Sequence, residues 1–247
     1  MFNKPLRLSL LSIAFGLMIA GAAAAQDFQK SYNIGAGGQI SIGNISGDVI
    51  VTGYDGSAII VKGTKEGRDR DRVEIEDRSS GNRVEVVARY PRECNCNASV
   101  KFEVQVPRSI NYDFERVSSV SGNVEVSGVT GRVHALSVSG DVKVKDVSGT
   151  ASGTSVSGDV NVEINRLEGA GDMKFSAVSG DVSVKMPSEL DAEVDMSSFS
   201  GSIKTDFPIE VRSEEHGPRR WARGRLGDGS RRLKMSTISG SLSLLRQ

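Results

Sequence analysis

A five-residue phrase recurs seven times in this chain and constrains its fold more than any other feature. Each copy has an apolar residue, then Ser-Gly, then a short polar residue, then a second apolar residue. The copies begin at Ile45, Val120, Val138, Val156, Val178, Phe199 and Ile238. From the second copy the serines lie 18, 18, 22 and 21 residues apart, and the last follows after 39. A period of about 20 residues is typical of stacked repeats, in which each unit buries its apolar face against its neighbours.

The residues after each glycine alternate in character. In Asp141–Lys145 the valines alternate with charged residues, which is the pattern of a half-buried strand. Ser-Gly-Asp before it is a bend signal. The pattern predicts inward side chains at Val142, Val144, Val160, Val162, Val182 and Val184. We therefore predict an all-β fold of short stacked repeats, a β-solenoid. An antiparallel β-sandwich, with each repeat as one hairpin, is the alternative that the turn spacing also fits.

The first 25 residues have the features of a secretory signal peptide. Lys4 and Arg7 are followed by an apolar stretch, and Ala23-Ala24-Ala25 forms a small-residue cleavage site before Gln26. The sequence thus predicts an exported chain, periplasmic or secreted, with no transmembrane segment after cleavage. Cleavage would leave 29 basic residues of the 31 against 31 acidic ones, a balance that predicts no general affinity for nucleic acid.

We predict that residues 26–247 form one domain with two irregular segments. Residues 54–116 contain longer alternating strands and a hairpin signal, which predict an antiparallel insertion near the N-terminal end. Residues 117–247 contain the regular repeats, interrupted by an insertion at 206–234. Because the phrase occurs on both sides of the first segment, one continuous domain is favoured over two.

Two candidate sites stand out by residue type. Cys94 and Cys96 are the only cysteines, and three states remain open for them: a local loop disulfide, free thiols or intermolecular pairing. No metal site is predicted, since two thiols without a nearby histidine are a poor ligand set. The insertion carries a basic cluster that could bind phosphate or carboxylate groups, or could instead be a mobile, solvated loop. This cluster consists of Arg219, Arg220, Trp221, Arg223, Arg225, Arg231 and Arg232.

No catalytic residues are predicted. Asp48, Asp141, Asp159 and Asp181 recur at one position of the phrase, with Asn123, and could in principle bind Ca²⁺ or act on sugars. Hydrogen bonds from these side chains to nearby backbone amides at the bends are the favoured interpretation. The sequence has no Gly-x-Ser-x-Gly elbow, P-loop or dinucleotide-binding motif, so we predict no cofactor.

The order of motifs resembles one known family. Val104-Gln105-Val106-Pro107 precedes the serial Ser-Gly-Asp-Val units, and Phe199-Ser200-Gly201, Gly227-Asp228-Gly229 and Thr237-Ile238-Ser239-Gly240 follow them. This arrangement, from about Phe28 to the C-terminus, is similar to the DUF4097 family, whose members are labelled adhesins of the bacterial envelope. The resemblance implies an all-β repeat fold and supplies no catalytic residues.

Together these features predict an exported, non-enzymatic β-repeat protein that acts as an adhesin-like binding or scaffolding surface. The expected partners are anionic envelope glycan or lipid, or another envelope protein. Two alternatives remain: a polysaccharide-active β-helix enzyme, by analogy of fold alone, and an envelope-stress sensor or accessory factor.

Overall fold

The computed structural model describes residues 27–247 except 93, 170 and 216, and within them it has twenty β-strands and one 3₁₀ turn at Arg70–Arg72. The predicted signal peptide, residues 1–25, lies outside the described residues. The first ten strands are β1 (Phe28–Tyr32), β2 (Gln39–Gly43), β3 (Val49–Tyr54), β4 (Ile59–Glu66), β5 (Glu74–Asp77), β6 (Arg83–Arg89), β7 (Ser99–Pro107), β8 (Asn111–Ser121), β9 (Val124–Ser127) and β10 (Thr130–Ser139). The other ten are β11 (Val142–Thr154), β12 (Val160–Arg166), β13 (Met173–Ser176), β14 (Val182–Met186), β15 (Ala192–Ser200), β16 (Ile203–Thr205), β17 (Val211–Ser213), β18 (Arg220–Leu226), β19 (Arg232–Ser239) and β20 (Leu242–Arg246). None of the helical residues that the structure describes forms a segment long and apolar enough to cross a bilayer.

The strands form two walls that face each other. The first sheet runs in the order β1, β4, β7, β3, β9, β11, β12, β14, β20 and β16. The second sheet runs in the order β5, β6, β2, β8, β10, β11, β13, β19, β15, β18 and β17. Strand β11 belongs to both sheets because it bends at Asp146, whose φ of 52° is the left-handed conformation. The β-solenoid prediction is thus confirmed, and the sandwich of hairpins is wrong.

Each rung of the stack contains one strand from each sheet, and neighbouring rungs run parallel. In space the rungs follow the order β6/β7, β2/β3, β8/β9, β10 with the start of β11, the end of β11 with β12, β13/β14, β19/β20 and β15/β16. The first rung of the chain, β2/β3, therefore lies second in the stack. The last rung of the chain, β19/β20, lies second from the other end. The first and last rungs of the chain are therefore each inserted between two other rungs.

The core between the walls is thin and consists mainly of valine. All six valines predicted to face inward are at most 3% exposed, which confirms that prediction. Gly153 marks how closely the walls approach, because a Cβ placed there would lie 2.8 Å from a methyl carbon of Val160 on the opposite sheet. β-Branched side chains suit such a core, since identical residues stack in ladders along neighbouring parallel strands.

The glycine of the phrase is required by the close approach of one rung to the next. A Cβ at Gly158 would lie 2.3 Å from the carbonyl oxygen of Gly140, and one at Gly180 would lie 2.2 Å from that of Gly158. The same conflict, at 1.9–2.4 Å, recurs at the other five copies. Any side chain would therefore push neighbouring rungs apart at this corner.

Outside the central rungs, the walls end in antiparallel strands. At the N-terminal end, β4 pairs antiparallel with β7 and β1 with β4, while β5 pairs antiparallel with β6. Segment 54–116 is antiparallel only at these outer strands, because β6 and β7 themselves run parallel to β2 and β3. The Lys30 ammonium on β1 donates to the Asp77 carboxylate on β5 and so links the two sheets where they end.

Candidate anion-binding face

The basic cluster lies mostly on strand β18, which pairs antiparallel with β15 over seven residues. Ala222 and Leu226 are buried, so alternation places Trp221, Arg223 and Arg225 on the outer face of the second sheet. The interpretation of this segment as a mobile loop outside the stack is therefore wrong. Its alternating apolar residues allow it to pair as a strand and to cover the C-terminal end of the stack.

Strand register assembles a depression around these residues. Arg223 lies opposite Asp195 on β15, which in turn lies opposite Lys234 on β19. Arg219 and Trp221 contribute the adjacent part of a shallow depression of about 480 Å³. The remaining lining residues are Asp195, Ser197 and Glu214. Three cationic groups thus converge with two carboxylates, which leaves a small excess of positive charge.

The Arg223 guanidinium already forms an ion pair with Asp195. Its Nε donates to Asp195 Oδ1 at 3.3 Å, and both side chains are substantially exposed. An ion pair of this kind is weak in water, so an incoming anion can compete for the arginine. Among the described residues, Arg219 makes no ion pair. Arg219 is therefore the arginine of the cluster most available to a ligand.

Arg225 and Arg232 lie in a second, smaller hollow beside the first. Glu193 lies opposite both of them, on the strand between. With Arg223 they line a depression of about 340 Å³. Arg232 also approaches Asp172, with Nη1 and Oδ2 3.7 Å apart. This hollow is closer to charge balance than the first, so we regard it as an extension of the site.

Three arginines of the cluster bond to backbone carbonyls. Arg220 donates to the carbonyl of Gly201, Arg225 to that of Asp228, and Arg231 to that of Gly169 at 3.0 Å. These contacts fasten the last strands and loops to their neighbours. Arg220 and Arg231 therefore lie apart from the depression, and the structure does not bring them together with Arg219, Arg223 and Lys234.

A carboxylate outside the cluster holds the turn between β18 and β19. Asp191 Oδ1 accepts hydrogen bonds from the backbone amides of Gly229 and Ser230 at 2.6 and 3.2 Å. Hydrogen bonds from Ser230, then from the neighbouring amides, lower the pKa of Asp191 below its usual value. The turn that connects the two basic strands is thereby fixed by a group that carries negative charge at neutral pH.

The aspartates of the phrase form a row that serves the stack. Asp141 Oδ1 accepts from the amide of Asp159, and Asp159 Oδ1 from that of Asp181, at 2.9 and 2.8 Å. Asn123 and Asp48 continue the row in the same way. The predicted hydrogen bonds to backbone are present, but the amide belongs to the next rung and not to the same bend. In the part of the chain that the structure describes, no three His, Cys, Asp or Glu side chains lie close enough to hold a metal ion.

The cysteines lie in the loop that connects β6 to β7, the two strands of the outermost rung. The structure joins Cys94 and Cys96 in a disulfide whose Cα atoms are 5.0 Å apart, within the usual range. The loop precedes β7, and a Cβ at Gly47 would lie 2.4 Å from the carbonyl oxygen of Val100. In the register of β7 with β3, Ser99-Val100-Lys101 lies beside Ser46-Gly47-Asp48, so the Cys-Asn-Cys loop comes just before the position that Ser-Gly-Asp occupies in the other rungs. That the bridge persists in the cell stays a prediction.

With the two walls and the basic face described, comparison with known proteins adds the family. A family model described as Toastrack DUF4097 matches residues 38–245. The chain belongs to the DUF4097 family. No curated protein matches this DUF4097 chain.

Two solved structures are similar to this DUF4097 chain. One is described as a "putative cell adhesion protein" from Clostridium sporogenes and has a TM-score of 0.48 and 10% identity. The aligned region covers 89% of this chain and 99% of the other. The other is described as a "putative adhesin" from Bacteroides fragilis and has a TM-score of 0.40 and 14% identity. The aligned region covers 88% of this chain and 96% of the other.

Sequence reasoning did not select every residue of the depression. Lys234 belongs to the same basic stretch of the sequence, and its alternation with Leu233 and Met235 predicts that it faces outward, although the candidate residues did not include it. Asp195, Ser197 and Glu214 carry no local signal. They reach the site only through the pairing of β15 with β18 and β19, which a local pattern does not reveal.

Proposed function

We propose that this DUF4097 protein is an exported, non-enzymatic protein of the bacterial envelope that binds anionic glycan or lipid groups. The observation that carries the proposal is the convergence of Arg219, Arg223 and Lys234 around one shallow depression, with Trp221 at its side. Export rests on the predicted signal peptide. The family supports the adhesin-like character of the surface.

The chemistry of the depression suits phosphate or carboxylate groups. Guanidinium forks bind both groups in a bidentate manner, and lysine adds a mobile positive charge. Trp221 offers an apolar face on which a sugar ring or a lipid glycerol group can pack. Because the site is open and Asp195 competes for Arg223, binding is expected to be moderate and to weaken as salt rises.

The structural role of the most repeated polar residues, the aspartates of the phrase, also supports a binding function over a catalytic one. The aspartates of the phrase accept backbone amides of the next rung, so their function in the stack explains their recurrence. A glycosidase needs two carboxyl groups on either side of a cleft. The depression instead places its carboxylates among cations on an open face.

Vesicle binding tests the proposal with a variant matched in charge. The test variant replaces Arg219, Arg223 and Lys234 with glutamine. The control replaces Lys143, Lys145 and Lys185, which lie together on the outer face of the first sheet. Both variants lose three positive charges, but only the first changes the candidate site. Arg220, Arg225 and Arg231 are left in place because they bond to backbone carbonyls.

We expect wild type and control to bind phosphatidylglycerol vesicles, or soluble polygalacturonate, at low salt. The test variant should bind about tenfold more weakly or worse, since charge-assisted hydrogen bonds are lost. The two ligands distinguish a lipid surface from an acidic glycan. Equal binding by the test variant and the control, with either ligand, would contradict the assignment of this face.

A further inference from the structure

A row of exposed apolar side chains runs along seven of the eight rungs of the stack. It is formed by the first residue of each copy of the phrase, and each member is 40–57% exposed. In the order of the rungs, this apolar ridge consists of Ile45, Val120, Val138, Val156, Val178, Ile238 and Phe199. Its six steps of about 4.8 Å give a length of about 29 Å.

Packing within the stack does not account for the ridge. Glycine is required by close packing, and in six of the seven copies the polar residue accepts an amide of the next rung and the final apolar residue is buried. The first residue faces solvent in every copy. Stacking of β-branched residues on a solvated face contributes little to stability, and polar β-formers such as threonine would serve equally well there. A continuous exposed apolar row is typical of a contact surface.

The rows on the two sides of the ridge differ in charge. Around the corner lies the row that contains Asp48, Asp141, Asp159 and Asp181. On the other side lies a neutral row, two residues before each ridge position, which includes Thr154, Ser176 and Ser236. The acidic row disfavours contact with an anionic membrane. It also restricts how another protein surface can approach.

We propose that the apolar ridge is the interface with a second copy of this chain, related by a two-fold axis parallel to the stacking direction. The ridge of a second copy has the same spacing, so every apolar residue can meet its equivalent. This axis sets the acidic row of one copy opposite the neutral row of the other. An antiparallel arrangement would instead set Asp159 against itself and Asp141 against Asp181, which costs energy.

The size of the surface fits a dimer. A standard interface uses about 20–30 residues from each partner. The ridge and its two flanking rows supply three positions on each of seven rungs. Two-fold dimers with the same patch on both subunits are also the commonest assemblies of soluble proteins.

The first test measures the mass of the mature protein in solution by sedimentation. Wild type should have twice the monomer mass. Val156→Asp, at the centre of the ridge, should weaken dimerisation by about tenfold or more, since two carboxylates would meet in an apolar contact. Val211→Asp is the control, because Val211 is 38% exposed but lies on β17, away from the ridge. Val156→Ser provides a milder variant that keeps the fold, and should also shift the mass toward the monomer.

The second test determines the direction of the axis. Val120→Cys and Ile238→Cys, as separate variants, should each form disulfide-linked dimers on oxidation, because each residue would face its own copy. Crosslinking at Val156→Cys but at neither of these positions would overturn the parallel arrangement. A wild type that stays monomeric at high concentration would overturn the proposal, as would a monomer that uses the ridge to bind neutral vesicles.

Discussion

The middle rungs and the end rungs of this stack are held together in different ways. From β8 to β14, each rung follows the previous one in the chain and repeats the same contacts. At each end, by contrast, two neighbouring rungs are exchanged in space relative to their order in the chain. Strands β2 and β3 lie between segments that follow them, and β19 and β20 lie between segments that precede them.

This difference shows how a parallel stack can close its ends. A bare end rung would expose unpaired backbone groups to other chains. Here the outermost strands are the antiparallel strands β1 and β5 at one end and the three-residue strands β16 and β17 at the other. The basic face is built on the C-terminal excursion, so the segment that closes the stack also carries the candidate site.

The largest expected effect is a buried charge in the middle of the stack. Val160→Asp would place an unpaired carboxylate where the side chain is fully buried between the walls. We expect a loss of about 4 kcal/mol or more in the free energy of unfolding. The matched change at the end is Ile209→Asp, where the side chain is 8% exposed and packs on Gly224. Urea unfolding of both variants should show the smaller loss at Ile209, and the reverse order would contradict the comparison.

The corner glycines should come next. Gly158→Ala would place a Cβ 2.3 Å from a backbone oxygen, so the neighbouring rungs must separate. We expect a loss of about 2 kcal/mol or more in thermal or urea unfolding. Gly171→Ala serves as the control, because its Cβ would make ordinary contacts at 3.7 Å with Thr150. Similar stability of the two variants would show that the rungs are not held at the separation described.

The N-terminal end should respond to pH through Asp77. Burial raises the pKa of this carboxyl, but hydrogen bonds from Lys30 and Ser79 outweigh burial and lower the pKa from 3.8 to about 2. A lowered pKa stabilises the folded state above the unfolded value, and that stability is lost as pH falls from about 4 to about 2. Asp77→Asn should therefore cost up to about 2 kcal/mol at pH 7 and little at pH 2. A cost that is equal at both pH values would mean that the charge of Asp77 does not hold this end.

The smallest effect is a gain in the middle rungs. Ser137 and Ser155 each donate to a glycine carbonyl of the preceding rung, at 2.9 and 2.8 Å. The equivalent residue of the next rung is Ala177, which has no hydroxyl to donate to Gly158. Ala177→Ser should add this bond and raise the free energy of unfolding by about 1 kcal/mol, and Ser155→Ala should lower it by a similar amount. A loss on Ala177→Ser would show that the corner has no room for the hydroxyl.

The middle of the molecule could be predicted from sequence because its contacts are periodic. The valines after each glycine alternate locally, and the next rung repeats them. The first residue of each phrase, such as Val156, looked equally apolar and carried no sign that it faces solvent. The distinction depends on which side of the strand faces the opposite wall, which the corner determines.

The ends could not be predicted in the same way. Their contacts depend on long-range pairings, such as β2 with β6 and β19 with β15. The basic segment contained Arg219 and Arg223 of the candidate site, but its other arginines lie outside the larger depression. Its position in a sheet, however, depends on β15, and the separation of Arg223 from Arg231 follows from that pairing.

Amide hydrogen exchange tests the inserted ends most directly. If β3 and β20 lie between two neighbours each, the amides on both edges of each strand should exchange as slowly as those of β11 and β12 in the middle of the stack. These amides are Val49 toward β9 and Ile50 toward β7, and Leu242 toward β16 and Ser243 toward β14. The edge strands β1 and β17 should exchange much faster. Exchange of β3 and β20 at the rate of the edge strands would contradict the insertion of the first and last rungs.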